Sequence, residues 1–493
     1  MNAPNLDPDG PYHARIRKRI LLRSWLDHRL GLTHALKVLL DEPIPGGARW
    51  AYIFGSGLLF LFLSQLLTGI FLALYYVPSS DHAHTTVAYI VKVVSGGAFL
   101  RSFHAYGASA IIVLLVLHIG QTVVYGSYKG RREILWISGC LLFGLMIGMS
   151  FTGYLLPWDM KAFFATTVGT NIVGETPVLG GFIKQLMRGG PEMGTLTLSR
   201  FFVAHVILLP GALLLLIGSH LFLFRKAGPA GPVEAHPVDP ALPTQRFFPR
   251  QALMDMALGV VLVAAIAIFA TLVPAELGPK ADPGDTHFLP RPEWYFLPMF
   301  QWLKYWPGAK AIVGTMIIPS LVGGLFVALP FLDRSLERRP LRRPFVLGAF
   351  ALVFGGLVFL GIQGVHDDQR DPAVAAQLAR QKQDMEAFMK TPFQPDPPPD
   401  LAYHAPGDVK LLSIRAAHGK EIFEGQSCDT CHGQEGRGAA APALHGVVRR
   451  IPLETIEAML RNPPGRMRQG GMEPVKVPDQ DLKDLIEYLA SLG

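Results

Sequence analysis

Four histidines of this sequence lie inside uncharged apolar runs, and they come in two pairs. His104 and His118 are 14 residues apart; His205 and His220 are 15 apart. An ionisable side chain within a membrane-length apolar segment is costly and marks function. A step of 14 or 15 residues is about four helical turns and about 21 Å, so each pair projects from roughly one face of its helix. Two such helices side by side could hold two metal centres, one near each membrane surface. Bis-imidazole ligation of haem iron is the natural chemistry for neutral histidines in an apolar bundle. A single such histidine is better read as a ring bonded to backbone; two matched pairs favour ligation.

Glycines repeat the same step. Gly55 and Gly69 are 14 apart in one apolar run, Gly139 and Gly153 in another. Glycine allows a flat ligand to approach the backbone closely. Small-residue helix packing gives the same pattern, and only the match to the histidine step favours a porphyrin.

Near the C-terminus stands Cys428-Asp429-Thr430-Cys431-His432. This is the pattern of covalent haem attachment, with two thioethers and His432 on the iron. A zinc or redox cysteine pair is the rival, disfavoured by a histidine directly after the second cysteine. The opposite ligand is expected to be Met472, with Met467 as runner-up. A thioether ligand raises the potential relative to bis-histidine, which makes this haem an electron acceptor. Cys140, the third cysteine, lies in an apolar run as a small buried hydrophobe, so no disulfide framework is expected.

These residues need elements to position them. Half of the 493 residues are hydrophobic and 17% are charged, fewer than the quarter or so of soluble domains. Seven charge-free runs are long enough to cross a bilayer: 51–77, 102–126, 134–158, 201–224, 256–274, 311–332 and 345–365, here spans A to G. The expected fold is therefore all-α: seven transmembrane helices, with a four-helix bundle holding two b haems, followed by a small all-α cytochrome c domain. The expected domains are an amphipathic segment on the cytoplasmic side (1–50), a four-helix haem domain (51–250), a three-helix domain (251–365), a partly helical and then extended linker (366–409) and the soluble domain (410–493). The linker opens with His366, Asp367, Asp368, Arg370 and Asp371 and closes at Pro395-Asp396-Pro397-Pro398-Pro399. No cleavable signal peptide is visible, and Arg15, Arg17, Lys18 and Arg19 with Trp25, Leu26 and Leu30 read as a helix lying on the membrane. For residues 1–12 a disordered basic tail is a serious rival.

The net charge of +7 does not imply nucleic acid, because the basic residues cluster in short loops beside the apolar runs. With a cytoplasmic N-terminus, the B–C loop (Lys129, Arg131, Arg132), the D–E loop (Arg225, Lys226, Arg246, Arg250) and the F–G loop (Arg334, Arg338, Arg339, Arg342, Arg343) are all cytoplasmic and all basic, as the positive-inside rule asks. An odd number of spans then puts the C-terminal domain on the periplasmic or extracellular side of a bacterial cytoplasmic membrane. His104 and His205 fall at the outer level, His118 and His220 at the inner.

The stretches Leu100-Arg101-Ser102-Phe103-His104, Gly153-Tyr154-Leu155-Leu156-Pro157-Trp158, Leu198-Ser199-Arg200-Phe201-Phe202 and Pro292-Glu293-Trp294-Tyr295 resemble cytochrome b of the quinol-oxidising bc complexes, over about residues 35–365. The 15-residue step in D and the seven runs are similar to the chloroplast-type branch, where spans A–D and E–G belong to two polypeptides. That branch tethers an extra haem to a cysteine near the start of span A; Ile53 stands there, so no extra haem is expected. The resemblance implies that Arg101 neutralises a propionate of the outer haem, although a snorkelling interfacial arginine reads as well. It implies that Glu293 accepts a proton from quinol in an apolar cleft lined by Tyr295 and Tyr154. The C-terminal domain is similar to small class-I-like cytochromes c.

The inner quinone site is read more loosely: Arg225 and Lys226 after span D, and Asp255 opening span E, could bind and protonate a quinone, or the two basic residues could be membrane anchors. The implied function is quinol:cytochrome c oxidoreduction by a Q-cycle, with two non-covalent b haems and one covalent c haem. The implied partners are a separate Rieske iron–sulfur protein, since the chain has no such cluster motif, a soluble cytochrome c or terminal oxidase, membrane lipid and a second copy of the complex. Two alternatives remain: a two-haem b anchor serving another quinone-linked dehydrogenase without bifurcation, and a fused c domain that docks rather than relays.

Overall fold

The computed structural model describes residues 24–233, 243–396 and 413–492, apart from Leu26, Leu32, 34–36, 38–39, Thr286, 439–440 and 470–471. Of the expected N-terminal surface helix, the basic residues 15–19 and Leu26 lie outside the described residues. The chain divides into two compact units between Asp396 and Pro397.

The first unit is a helical bundle. In chain order its main helices are α1 (Ile53–Ala73), α2 (Ala83–Lys92), α3 (Gly97–Val124), α4 (Glu133–Tyr154), α5 (Met160–Gly174) and α6 (Gly180–Arg188). They are followed by α7 (Thr195–Ala227) and α8 (Arg250–Leu272), then α9 (Leu297–Leu303), α10 (Val313–Val327), α11 (Pro344–Arg370) and α12 (Pro372–Lys390). A short antiparallel pair, β1 (Pro43–Pro45) with β2 (Thr244–Arg246), joins the segment before α1 to the one before α8. Among the described residues six helices, α1, α3, α4, α7, α8 and α11, are long and apolar enough to span a bilayer. Large apolar side chains such as Leu215, Phe345 and Leu352 are exposed on them, the surface that lipid asks for and water does not.

The expected span F is not one continuous helix. It is broken into α10 and a turn at Leu329–Leu332, with proline at the start of the second piece. Pro319 lies two residues past a π-helical turn at Val313–Ile317. A proline lacks the N–H that would close the ladder and its ring presses on the preceding turn, so the run cannot stay regular. Its ends nevertheless reach opposite ends of the bundle. At one end the Trp302 indole N–H donates to Gly314 O at 2.8 Å. At the other, Asp333 accepts from Lys129 Nζ at 2.7 Å and from the Tyr128 hydroxyl at 2.6 Å.

Each end of the bundle is tied by its own network. At the His118 end, Arg343 donates to Val123 O and Val124 O, and Arg338 donates to Ala230 O and Gly231 O. The three basic loops therefore meet on one side. Burial pushes the Lys129 amine down; Asp333 is held below the usual carboxylate range, its own burial outweighed by bonds from Lys129, Tyr128 and Ser335. At the His104 end, Ala281 N donates to Trp158 O at 3.0 Å and Met160 N to Pro279 O at 3.2 Å, pinning the segment after α8 against the turn before α5.

The first part of the expected linker belongs to this unit. Asp371 caps α12 by accepting from Ala373 N and Val374 N. Phe388, Met389 and Phe393 pack against Val87, Ala88 and Leu277. Lys92 donates to Phe388 O and Thr391 O, and Asp396 bonds His82 and Thr85. The helix α12 fits the partly helical start expected of this segment, and charged neighbours hide its apolar positions in the sequence.

The second unit contains α13 (Ile414–Gly425), α14 (Cys428–His432), α15 (Leu453–Arg461) and α16 (Asp479–Ser491). Its core joins Phe423, Ile456, Leu460, Leu482, Leu485, Tyr488 and Leu489. Helices α13 and α16 cross at Gly419, where any Cβ would collide with Asp484 O.

Candidate metal centres and the facing loop

His104 and His118 lie on α3, His205 and His220 on α7. The imidazoles of His104 and His205 face each other with ring centroids 6.3 Å apart and planes at 74°. Half that separation, roughly 3 Å, equals an imidazole ring radius plus one metal–nitrogen bond of about 2 Å. His118 and His220 also lie within electrostatic reach of one another.

Hydrogen bonds fix how these rings are presented. Thr68 Oγ1 donates its proton to Ser64 O, so it accepts from His104 Nδ1 at 2.9 Å. Ser138 Oγ donates to Leu135 O and accepts from His220 Nδ1 at 2.8 Å. His205 Nδ1 donates to Met149 O at 3.0 Å. In all three the proton sits on Nδ1, which leaves the Nε2 lone pair for a metal. His118 is the exception: its Nδ1 is buried with no partner among the described residues.

The four glycines face the four histidines one to one. A Cβ at Gly55 would lie 3.5 Å from His118 Cε1, at Gly69 3.2 Å from His104 Cε1, and at Gly139 3.3 Å from His220 Cε1; at Gly153 it would collide with the His205 ring. Each glycine stands opposite an imidazole edge. Sequence reading missed the residue before each glycine. Thr68, Ser138 and Thr152 precede Gly69, Gly139 and Gly153, and each hydroxyl lies within 3.3 Å of the matching Nδ1. Phe54 precedes Gly55, and there the histidine lacks a partner.

The unequal histidine steps have a local cause. Ala204–Leu208 is a π-helical turn containing His205, with Pro210 two residues on. A π turn takes up one extra residue, so the 15-residue step in α7 matches the 14-residue step in α3. Among the described residues no three or more His, Cys, Asp or Glu cluster as a metal site. Each centre therefore offers two imidazoles across one gap, a donor set that fits a planar ligand supplying the remaining bonds.

The loop that carries Glu293 packs at the His104 end. Glu293 O accepts from Phe296 N and Leu297 N, which starts the turn into α9. Phe296 meets Phe151 edge-on at 6.3 Å, two residues from Gly153. Tyr295 packs against Trp294 and Phe296; burial, then the nearby Glu293, pushes its phenol up. The Tyr154 hydroxyl is buried without a partner among the described residues.

Three sequence expectations meet different surroundings. Glu293 is not isolated in an apolar cleft: Lys161 Nζ donates to its Oε1 at 2.7 Å, and both side chains are over a third exposed. The segments before α5 and α9 fold onto each other, which brings the pair together across 132 residues. Arg101 donates to Ala275 O at 2.7 Å and Glu276 O at 2.9 Å, so its guanidinium ties down the chain after α8. At the His118 end, Arg225 pairs with Glu42 at 3.6 Å, Asp255 accepts from Gln251 Nε2 at 2.8 Å, and Lys226 is exposed at the end of α7.

In the second unit, Cys428, Cys431 and His432 lie together on the short helix α14. His432 Nδ1 donates to Pro442 O at 2.9 Å, again leaving Nε2 for a metal. Met472 packs against the core of the unit, whereas Met467 is 38% exposed.

The chain matches three family models: cytochrome b/b6/petB over residues 39–228, cytochrome b (C-terminal)/b6/petD over 280–381, and cytochrome c over 416–493. It is 35% identical over 336 residues to a cytochrome bc complex cytochrome b subunit of Chlorobaculum thiosulfatiphilum, covering 67% of this chain and 78% of that one. It is 42% identical over 220 residues to a menaquinol:cytochrome c reductase cytochrome b subunit of Geobacillus thermodenitrificans, covering 43% of this chain and 98% of the relative. A solved hyperthermophilic respiratory complex III contains a chain similar at TM-score 0.63 and 27% identity, covering 74% of this chain and 96% of that chain.

Proposed function

Because the chain belongs to the cytochrome b family of bc-type quinol:cytochrome c oxidoreductases, with a cytochrome c domain fused behind both cytochrome b halves, we propose that it oxidises quinol at the His104 end and reduces quinone at the His118 end. The carrying observation is the His104–His205 gap of 6.3 Å with Nδ1 occupied on both rings, with the Glu293 carboxylate at the same end of the bundle. His104 with His205 and His118 with His220 would hold two b haems; Cys428, Cys431, His432 and Met472 would hold the c haem. When bound, these groups supply one-electron transfer across the bilayer and at its outer face.

Glu293 takes the quinol proton at the His104 end, and Tyr295 and Tyr154 shape the pocket around the quinol ring. At the other end Arg225, Lys226 and Asp255 are the groups available to bind and protonate a quinone. The His104 end faces outward, because the basic loops that meet at the His118 end belong to the cytoplasmic side. Each full charge crossing the membrane works against about 2.3 kcal/mol per 100 mV, so this separation of sites stores energy. A separate Rieske-type subunit takes the first electron from quinol, and the fused c domain relays it to a soluble cytochrome c or an oxidase. The working unit is a homodimer in a bacterial cytoplasmic membrane.

Quinol-driven reduction of the b haems with the inner site blocked tests this reading. Glu293→Gln is expected to slow it by at least about a hundredfold, the lower range of a general base's contribution. Wild-type rates in that variant would remove the outer site from this loop.

A further inference from the structure

Lys161 stands in the first turn of α5, at the end of a helix where a cation is disfavoured by the macrodipole. Asp159 already caps that end by accepting from Ala162 N at 2.9 Å. A residue that conflicts with its local setting points to a function elsewhere. Its ammonium instead donates to Glu293 Oε1 at 2.7 Å, and lies 5.9 Å from the centre of the Tyr154 ring. Ion pairs this exposed contribute little stability, so stability does not explain the contact. Among the described residues, nothing else bonds the Glu293 carboxylate, and Oε2 carries no partner.

Resting on the outer-site reading above, we propose that Lys161 is a positioning residue for quinol oxidation: it holds Oε1 of Glu293 and leaves Oε2 turned toward the quinol hydroxyl. A carboxylate has two equivalent oxygens and a freely turning terminal bond. Fixing one oxygen fixes the direction of the other. The step itself is a single proton transfer: the quinol O–H bond breaks, an O–H bond forms on Oε2, and the negative charge passes to the quinol oxygen. Once Glu293 is neutral, the Coulomb hold of Lys161 on it is lost, which frees the protonated side chain to turn and release its proton.

The test is steady-state quinol oxidation by the intact complex carrying Lys161→Met, Lys161→Arg, Glu293→Gln or the Lys161→Met/Glu293→Gln pair, each normalised to haem content. Lys161→Met is expected to lower kcat about tenfold with KM changed less than about twofold, the signature of lost orientation rather than lost binding. Lys161→Arg keeps a cation at this reach and is expected to recover kcat to within about threefold of wild type. On the Glu293→Gln background, Lys161→Met should add nothing. An unchanged or raised kcat in Lys161→Met, or an equal loss with and without Glu293, overturns the positioning role. Wild-type turnover in Glu293→Gln alone would instead overturn the outer-site reading on which it rests.

Discussion

Arg291 grips Asp368 through two parallel hydrogen bonds, Nε to Oδ2 at 2.6 Å and Nη2 to Oδ1 at 2.7 Å. Arg291 stands two residues before Glu293, and Asp368 is in the last turn of α11. One residue away, Asp367 accepts from Gln301 Nε2 of α9 at 2.6 Å. The stretch that carries Glu293 is thus fastened from both sides to the last spanning helix. Breaking one partner of a fully buried pair costs about 3–5 kcal/mol; these side chains are 21% and 14% exposed, which brings the expectation down to about 1–2 kcal/mol. Arg291→Ala and Asp368→Ala should each lower the chain's stability by about 1–2 kcal/mol and lower quinol kcat/KM, and the double variant should be no worse than either. Additive losses would show that the pair does not act as one clamp.

The glycines opposite the histidines are not equivalent. A methyl group at Gly153 collides with the His205 ring, whereas at Gly55 it makes ordinary contact with His118 at 3.5 Å. Gly153→Ala should therefore lose the outer b haem and keep the inner one; Gly55→Ala should keep both. Reduced-minus-oxidised spectra with potentiometric titration separate the two components. Loss of the inner component in Gly153→Ala would contradict the pairing of glycine with histidine.

The second unit offers a choice between two thioethers. Met472 lies against the core and Met467 is exposed. Replacing Met472 with alanine should lower the c-haem midpoint potential, because the ligand that raises it is gone. Met467→Ala should leave the potential where it was. A titration in which only the Met467 variant shifts would reverse the assignment.

Acid and base should both weaken the second unit. Asp484 accepts from Arg415 Nε at 2.8 Å and from His418 Nδ1 at 3.0 Å. The hydrogen bond from Asp484 raises the His418 imidazole above its ordinary 6.5, so that stabilisation is complete below 6.5 and is lost as pH rises through the raised value. Bonds from His418 and then Arg415 hold Asp484 below its ordinary 3.8, so its stabilisation is present above 3.8 and is lost as pH falls through the lowered value. The c-haem melting transition of the full chain should be highest between these limits, and Asp484→Asn should flatten the profile. A wild-type midpoint that rises steadily from pH 5 to 9 would contradict this pairing.

Much of this arrangement could be read from residue types alone. The histidine steps put His104 level with His205 and His118 level with His220, because a step of 14 or 15 residues is close to a whole number of turns, and Cys428 through His432 stand out as a covalent attachment pattern. What was not legible depended on contacts between distant segments. Lys161 is an unfavourable cation in a helical first turn, and its partner Glu293 comes from 132 residues away. The α12 helix reads as linker because its partner surface, Val87, Ala88 and Leu277, comes from two other parts of the chain. The break before Pro330 was legible in principle, since proline cannot continue a ladder, but hydropathy outweighs it in a simple reading. The hydroxyl before three of the four glycines was also in plain view, and it means something only once the rings are seen to bond it.

We propose that His104 and His205 share one iron while His118 and His220 share another, and single-histidine variants examined by haem stoichiometry and redox titration decide it. The wild-type chain should hold two b haems and one covalent c haem. His104→Leu and His205→Leu should lose the same b component, and His118→Leu and His220→Leu the other. If His104→Leu and His205→Leu lost different components, or if both b haems survived either change, the paired-imidazole account would be wrong.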